Sequence, residues 1–133
     1  MSGFRLQIVT PEGLKLDATA QALHLRTTEG YVSIRSGHAD YIAVLDVGMV
    51  TVTLGEGERK AACSGGFLTV DKGQVRLMGT TFEYAEDIDI ARARAARQRA
   101  EAQLAASRDA AQIEIAKAKL TRALNRMKVA DDR

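Results

Sequence analysis

The chain has 133 residues, enough for one ordinary domain or for a small core carrying an appendage. Its 46% hydrophobic and 27% charged content is that of a chain that folds and excludes a disordered tail. One cysteine, Cys63, with two histidines far from it excludes an internal disulfide and a structural zinc set, and no apolar run nears the roughly 18 to 20 residues of a membrane span.

Met1 to Gln7 lacks the basic-then-apolar layout of a secretion signal, so the expected setting is cytosolic, at a membrane only through partners. From Phe4 to Glu86 apolar residues alternate. Phe4, Leu6 and Ile8 share a face, as do Leu23 and Leu25, Val50, Val52 and Leu54, Val75 and Leu77, and Phe82 and Tyr84. Period two predicts strands with one face to bury. Breaks are expected at Pro11-Glu12-Gly13, Glu29-Gly30, Ser36-Gly37, Asp46-Val47-Gly48, Gly55-Glu56-Gly57, Gly65-Gly66 and Asp71-Lys72-Gly73. Eight or more short strands without intervening helices predict an antiparallel β-sandwich or flattened barrel over residues 1–86, and the missing crossovers exclude a parallel sheet. Cys63 is expected as a small buried hydrophobe, His24 at the surface, and Phe82 and Tyr84 in the core.

After Glu86 the chain turns alanine-rich, without Gly or Pro, behind two possible caps, Asp87 and Asp89. A helix to about Ala106, a break at Ser107-Arg108-Asp109 and a helix from about Ala110 to Lys128 predict a two-helix antiparallel hairpin over residues 87–133. Ile113, Ala116, Leu120, Ala123, Leu124 and Met127 form the apolar stripe of the second helix; Ala93, Ala96, Ala100 and Leu104 form that of the first. A buried methyl contributes about 0.8 kcal/mol and a buried leucine about 2 to 3, so alanine faces predict helices that hold their shape but dock weakly. Residues 1–86 carry a net −2 and residues 87–133 a net +4, so the arm should seek an acidic partner.

Four motifs in this order resemble the ε subunit of bacterial and chloroplast F-type ATP synthases, the counterpart of the mitochondrial δ subunit. They are Leu6-Gln7-Ile8-Val9-Thr10-Pro11-Glu12-Gly13, Glu29-Gly30 with Ser36-Gly37-His38-Ala39, Ser64-Gly65-Gly66-Phe67-Leu68-Thr69-Val70, and Ile88-Asp89-Ile90-Ala91-Arg92-Ala93. Where that family commonly has Ile-Leu-Pro-Gly-His-Ala-Pro, this chain has Ile34-Arg35-Ser36-Gly37-His38-Ala39-Asp40, without either proline. The resemblance implies a non-catalytic central-stalk subunit on the cytoplasmic face of a bacterial membrane, bound to the γ subunit and the ring of c subunits. It further implies an arm that folds beside the β module or extends toward the catalytic α/β hexamer, where it inhibits ATP hydrolysis.

No cofactor is required, but the resemblance implies a regulatory ATP on the folded arm. The matching residues are Glu83, Ile88, Asp89, Arg92, Ala93, Arg99, Arg122 and Arg126, and arginine's planar fork suits phosphate. The alternative is that these arginines form a solvated face or pair with Asp89, Glu101 and Glu114. Glu29, Gly30, Tyr31, Val32, Ser36, Gly37, His38 and Asp40 are expected to face the c ring and the foot of γ. Arg108, Lys117, Lys119 and Lys128, with Arg122 and Arg126, are expected to meet an acidic loop of the catalytic β subunits. His38 and Asp40 stand near no recognisable nucleophile, so catalysis is not expected. A rival reading, a nucleic-acid-binding module with a basic hairpin, is weakened by 5% aromatic content and an acidic β half, and no nucleic-acid partner is expected.

Overall fold

A computed structural model describes residues 3–132. Met1 and Ser2, from the predicted N-terminal segment, and Arg133, the far limit of the second, lie outside the described residues. Eight strands come first: β1 (Phe4–Thr10), β2 (Gly13–Ala20), β3 (Ala22–Thr27), β4 (Gly30–Arg35), β5 (Tyr41–Leu54), β6 (Gly57–Asp71), β7 (Gln74–Gly79) and β8 (Phe82–Tyr84). A 3-10 turn over Ala85–Asp87 leads to α1 (Ile90–Ala106) and α2 (Ala110–Asp131). The strand order is β2-β1-β7-β6-β5-β3-β4, with β8 pairing on β6.

Each alternating set turns one face inward, and Leu6, Ile8, Leu23, Leu25, Val52 and Leu77 are fully buried in a single core. Cys63 and the edge-to-face pair Phe82 and Tyr84 join that core, and His24 is exposed. Pairing is antiparallel throughout the sheet save at one place: β1 runs parallel to β7, with Leu6 beside Val75 and Ile8 beside Leu77. Those strands lie some 70 residues apart in sequence, so intervening hairpins return the chain without a crossover helix.

A correction concerns Asp46-Val47-Gly48, expected as a break but lying inside β5; Gly65-Gly66, also counted among the breaks, serves as strand geometry inside β6. Along β6 the buried positions change from Ala61 and Cys63 to Leu68 and Val70, and along β5 from Leu45 to Val50 and Val52. Such a change of parity needs a local distortion, because a one-residue slip exchanges the two faces of a strand. Gly65 and Gly66, at φ +98° and +124°, supply it in β6. A Cβ at Gly66 would stand 1.9 Å from the Met78 carbonyl oxygen, so that bend requires glycine for space as well as for angle.

Asp89 caps α1 through a 3.0 Å bond from the Arg92 amide, and Asp109 caps α2 through the Ala111 amide at 3.1 Å. Ala93 and Ala100 on α1, and Ala116, Ala123 and Ala130 on α2, are buried at spacings of seven. Small side chains at a heptad spacing let two helices approach closely. Leu124, expected within the stripe, is 42% exposed instead. The helix continues beyond Lys128, and Val129 and Ala130 in that last turn are its apolar residues buried against the β module.

Candidate functional site

The arm touches the β module along a narrow seam. Val129 and Ala130 pack on Ala62, Ala85 and Ile88, with Met49 and Ile90 at the edge. Around it Asn125 Nδ2 donates to the Gly48 carbonyl at 3.0 Å, Lys60 Nζ meets an Asp132 carboxylate oxygen at 3.1 Å, and Arg126 Nε meets Glu83 Oε1 at 2.8 Å. Ala62 and Cys63 are neighbours on β6 with opposite outlooks: Ala62 faces the arm and Cys63 the sandwich interior. Arg59 lies 3.6 Å above the Tyr84 ring and is bonded to Glu86, a contact that pushes its guanidinium pKa up, while burial raises that of the Tyr84 phenol.

Beside the seam lies a cleft of about 500 Å³. Glu83 reaches it from β8, Ile88 and Asp89 from the linker, Arg92 and Ala93 from the first turn of α1, and Arg126 from α2. Phe82 and Thr81 supply part of the wall, as do Glu12 and Lys15 from the β1–β2 turn and the start of β2. A second cleft of about 300 Å³ runs between the helices, lined by Ala96, Arg99, Gln103, Lys119, Arg122, Ala123 and Arg126. Arg126 belongs to both. The eight residues matched to a nucleotide site therefore fall in two clefts that meet at one arginine.

The proposed acid partners of those arginines are otherwise engaged. Glu101 pairs with Arg97 at 2.8 Å, Glu114 with Lys117 at 3.6 Å, and one Asp89 oxygen serves as the α1 cap. Among the described residues no carboxylate pairs with Arg99, Lys119 or Arg122, so the interhelical cleft carries uncompensated positive charge. The first cleft is mixed: its acids are Glu12, Glu83, Asp87 and Asp89, and its bases Lys15, Arg92 and Arg126. Glu12 and Lys15 escape sequence reasoning because they sit about 70 residues from the other lining groups.

Glu29 and Gly30 form the exposed β3–β4 turn, and Ser36 to Asp40 the β4–β5 connection. Tyr31 is half-exposed and stacks on His24 at 5.1 Å, whereas Val32 packs inward against the core beside Ile34. His38 Nδ1 donates to the Ala39 carbonyl at 2.7 Å, and an Asp40 oxygen accepts from the Lys72 amide at 2.9 Å. Both side chains are thus committed to backbone groups. Arg108, Lys117, Lys119 and Lys128 are exposed on the arm.

Sequence reasoning also missed an outer apolar row. Strand register sets Leu14 beside Val9, Val9 beside Met78, Met78 beside Phe67 and Phe67 beside Val44. Leu14 is 60% exposed, Phe67 52% and Val44 49%, and Ile42, two residues from Val44 on the same face, 76%. Its signal was the outward member of each alternating set, which is ordinarily polar. Among the described residues no helix is long and apolar enough to cross a membrane, and none group as three or more metal-ligating side chains.

Comparison with known proteins agrees with this arrangement. The beta-sandwich domain of the ATP synthase Delta/Epsilon chain matches residues 3–85, and the long alpha-helix domain of the same chain matches residues 86–131. The ATP synthase epsilon chain of Ruminococcus albus is 35% identical over 132 residues, covering 98% of each chain. That of Staphylococcus haemolyticus is 38% identical with the same coverage. The fold superposes on a chain of the Euglena gracilis mitochondrial ATP synthase with a TM-score of 0.84 at 23% identity, covering all of this chain and 83% of that one. A chain of the Tetrahymena thermophila mitochondrial ATP synthase central stalk and c-ring gives 0.68 at 15% identity, covering 95% of each. The protein described here belongs to the ATP synthase delta/epsilon chain family.

Proposed function

We propose that this chain is a non-catalytic rotor subunit of a rotary ATP synthase, and that its C-terminal arm is a nucleotide-sensitive brake on ATP hydrolysis. The β module joins the γ subunit and the c-subunit ring, and the complex, not this chain, holds it at the cytoplasmic face of the membrane. The row from Leu14 to Val44, with Ile42, is the surface seated on γ, since monomeric proteins seldom expose a contiguous apolar band of this extent. The loops Glu29–Gly30 and Ser36–Asp40 are turned to the c ring.

The observation that carries the arm's role is the Arg126 to Glu83 bridge where the two clefts meet. A nucleotide lying across both clefts touches β8, the linker and both helices, so it binds the folded arm and not the extended one. Its base and sugar occupy the mixed cleft by Ile88, Asp89, Arg92 and Ala93, and its phosphates the arginine-rich one. Ligand that binds one of two states shifts the balance by its differential affinity alone. When released, the arm presents Arg108, Lys117, Lys119, Arg122, Arg126 and Lys128 to acidic surfaces of the α/β hexamer.

Deletion of residues 88–133 in the assembled enzyme tests the division of labour. Assembly and ATP synthesis should be retained and ATP hydrolysis released; loss of assembly would refute it. Inhibition by the intact arm should also weaken as salt rises, because exposed charges are screened beyond roughly 10 Å at 0.1 M salt.

A further inference from the structure

The interhelical cleft contains a cation that the nucleotide match does not assign. Lys119 stands one turn before Arg122 and two before Arg126, so the three project along one face of α2. Across the groove α1 contributes Arg99 and, one turn on, Gln103. Lys119 is exposed, with no carboxylate partner among the described residues. By contrast Lys117, two residues away on the same helix, pairs with Glu114 and does not line the cleft.

We propose that Lys119 is a phosphate-binding residue of the regulatory site, which holds the polyphosphate end of a nucleotide together with Arg99, Arg122 and the amide of Gln103. The assignment rests on the nucleotide reading above. An ammonium is a compact point charge with three rotatable donors, suited to a mobile terminal phosphate, where guanidinium forks fix the oxygens nearer the sugar. Lys119 then has two incompatible uses. With polyphosphate bound it is neutralised inside the groove, and only when the cleft is vacated does it join the cationic face offered to an acidic partner. Ligand occupancy would thus withdraw charge from the inhibitory surface as well as hold the arm down.

Calorimetry on the full chain with ATP and, separately, inorganic tripolyphosphate tests this. Lys119→Gln, which leaves helix propensity nearly unchanged, should weaken both ligands about fivefold, as expected for a partly screened charge-assisted contact. Lys117→Gln, an equal change in net charge, should alter either by less than about twofold, and Lys119→Arg should restore most of the affinity. Equal effects of Lys119→Gln and Lys117→Gln would overturn the assignment while leaving the nucleotide reading intact. Binding of tripolyphosphate without ATP would remove the nucleotide reading and overturn the assignment with it. Binding of neither ligand by the wild-type chain would overturn both.

Discussion

Val129→Ala isolates the seam that fastens the arm. Val129 is fully buried in the last turn of α2, and alanine at that position favours the helix, so the change acts on docking and not on helix formation. Removal of two buried carbons costs about 1.6 kcal/mol in transfer energy, and a small residual cavity brings the loss to about 2. The whole seam is modest: Val129 and Ala130 contribute about 3 kcal/mol, the Asn125 hydrogen bond about 1, and each half-exposed ion pair at most about 1. A loss of about 2 kcal/mol raises the undocked population roughly thirtyfold.

Neighbouring residues on β6 provide the assay. Ala62→Cys places a thiol under the arm, while native Cys63 faces the sandwich interior and reports opening of the sheet. Val129→Ala introduced alongside Ala62→Cys should speed labelling of the seam thiol by about thirtyfold, the factor by which undocking rises. Cys63 labelling and the thermal midpoint of the sheet should stay unchanged. Parallel acceleration of both thiols would refute the reasoning, because the arm would then open only when the core does.

Three further predictions concern other parts of the molecule. Arg122→Ala should weaken ATP binding by roughly tenfold or more in calorimetry through loss of a charge-assisted phosphate contact, with the far-ultraviolet helix signal unchanged. Gly66→Ala should cost more than about 3 kcal/mol in urea unfolding, because the added carbon meets the Met78 carbonyl at a positive φ. Burial pushes the Cys63 thiol up to about 11. The unfolded thiol ionises from about pH 8.5, so the native state holds its proton longer and stability should fall as pH rises from there toward 11. Cys63→Ala should remove that share of the alkaline slope.

The strands were legible because alternation is a local signal: Leu6 with Ile8, or Val50 with Val52, declares a buried face without reference to any partner. Pairing between distant segments has no such local mark, which is why parallel β1 and β7 escaped notice. Gly65-Gly66 was ambiguous for a related reason. A positive-φ pair bends a long strand or closes a turn with the same two residues, and only the opposing Met78 backbone decides between them. In the arm, the cap at Asp89 was visible as a residue type and Asp109 only as part of the break between helices, whereas no glycine or proline marks the end of α2. Val129 and Ala130, the apolar residues buried against the β module, were therefore left outside the stripe. The residues proposed for a nucleotide were named through resemblance, but Lys119, Glu12 and Lys15 enter the clefts only through folding.

The most direct test of a separable, ligand-held arm is the labelling rate of the Ala62→Cys thiol, with an otherwise native arm, as ATP is added. If nucleotide binds only the docked state, ATP at a hundred times its Kd should slow labelling about a hundredfold, while Cys63 remains unreactive. An unchanged rate at a concentration where calorimetry shows the site to be filled would contradict the account.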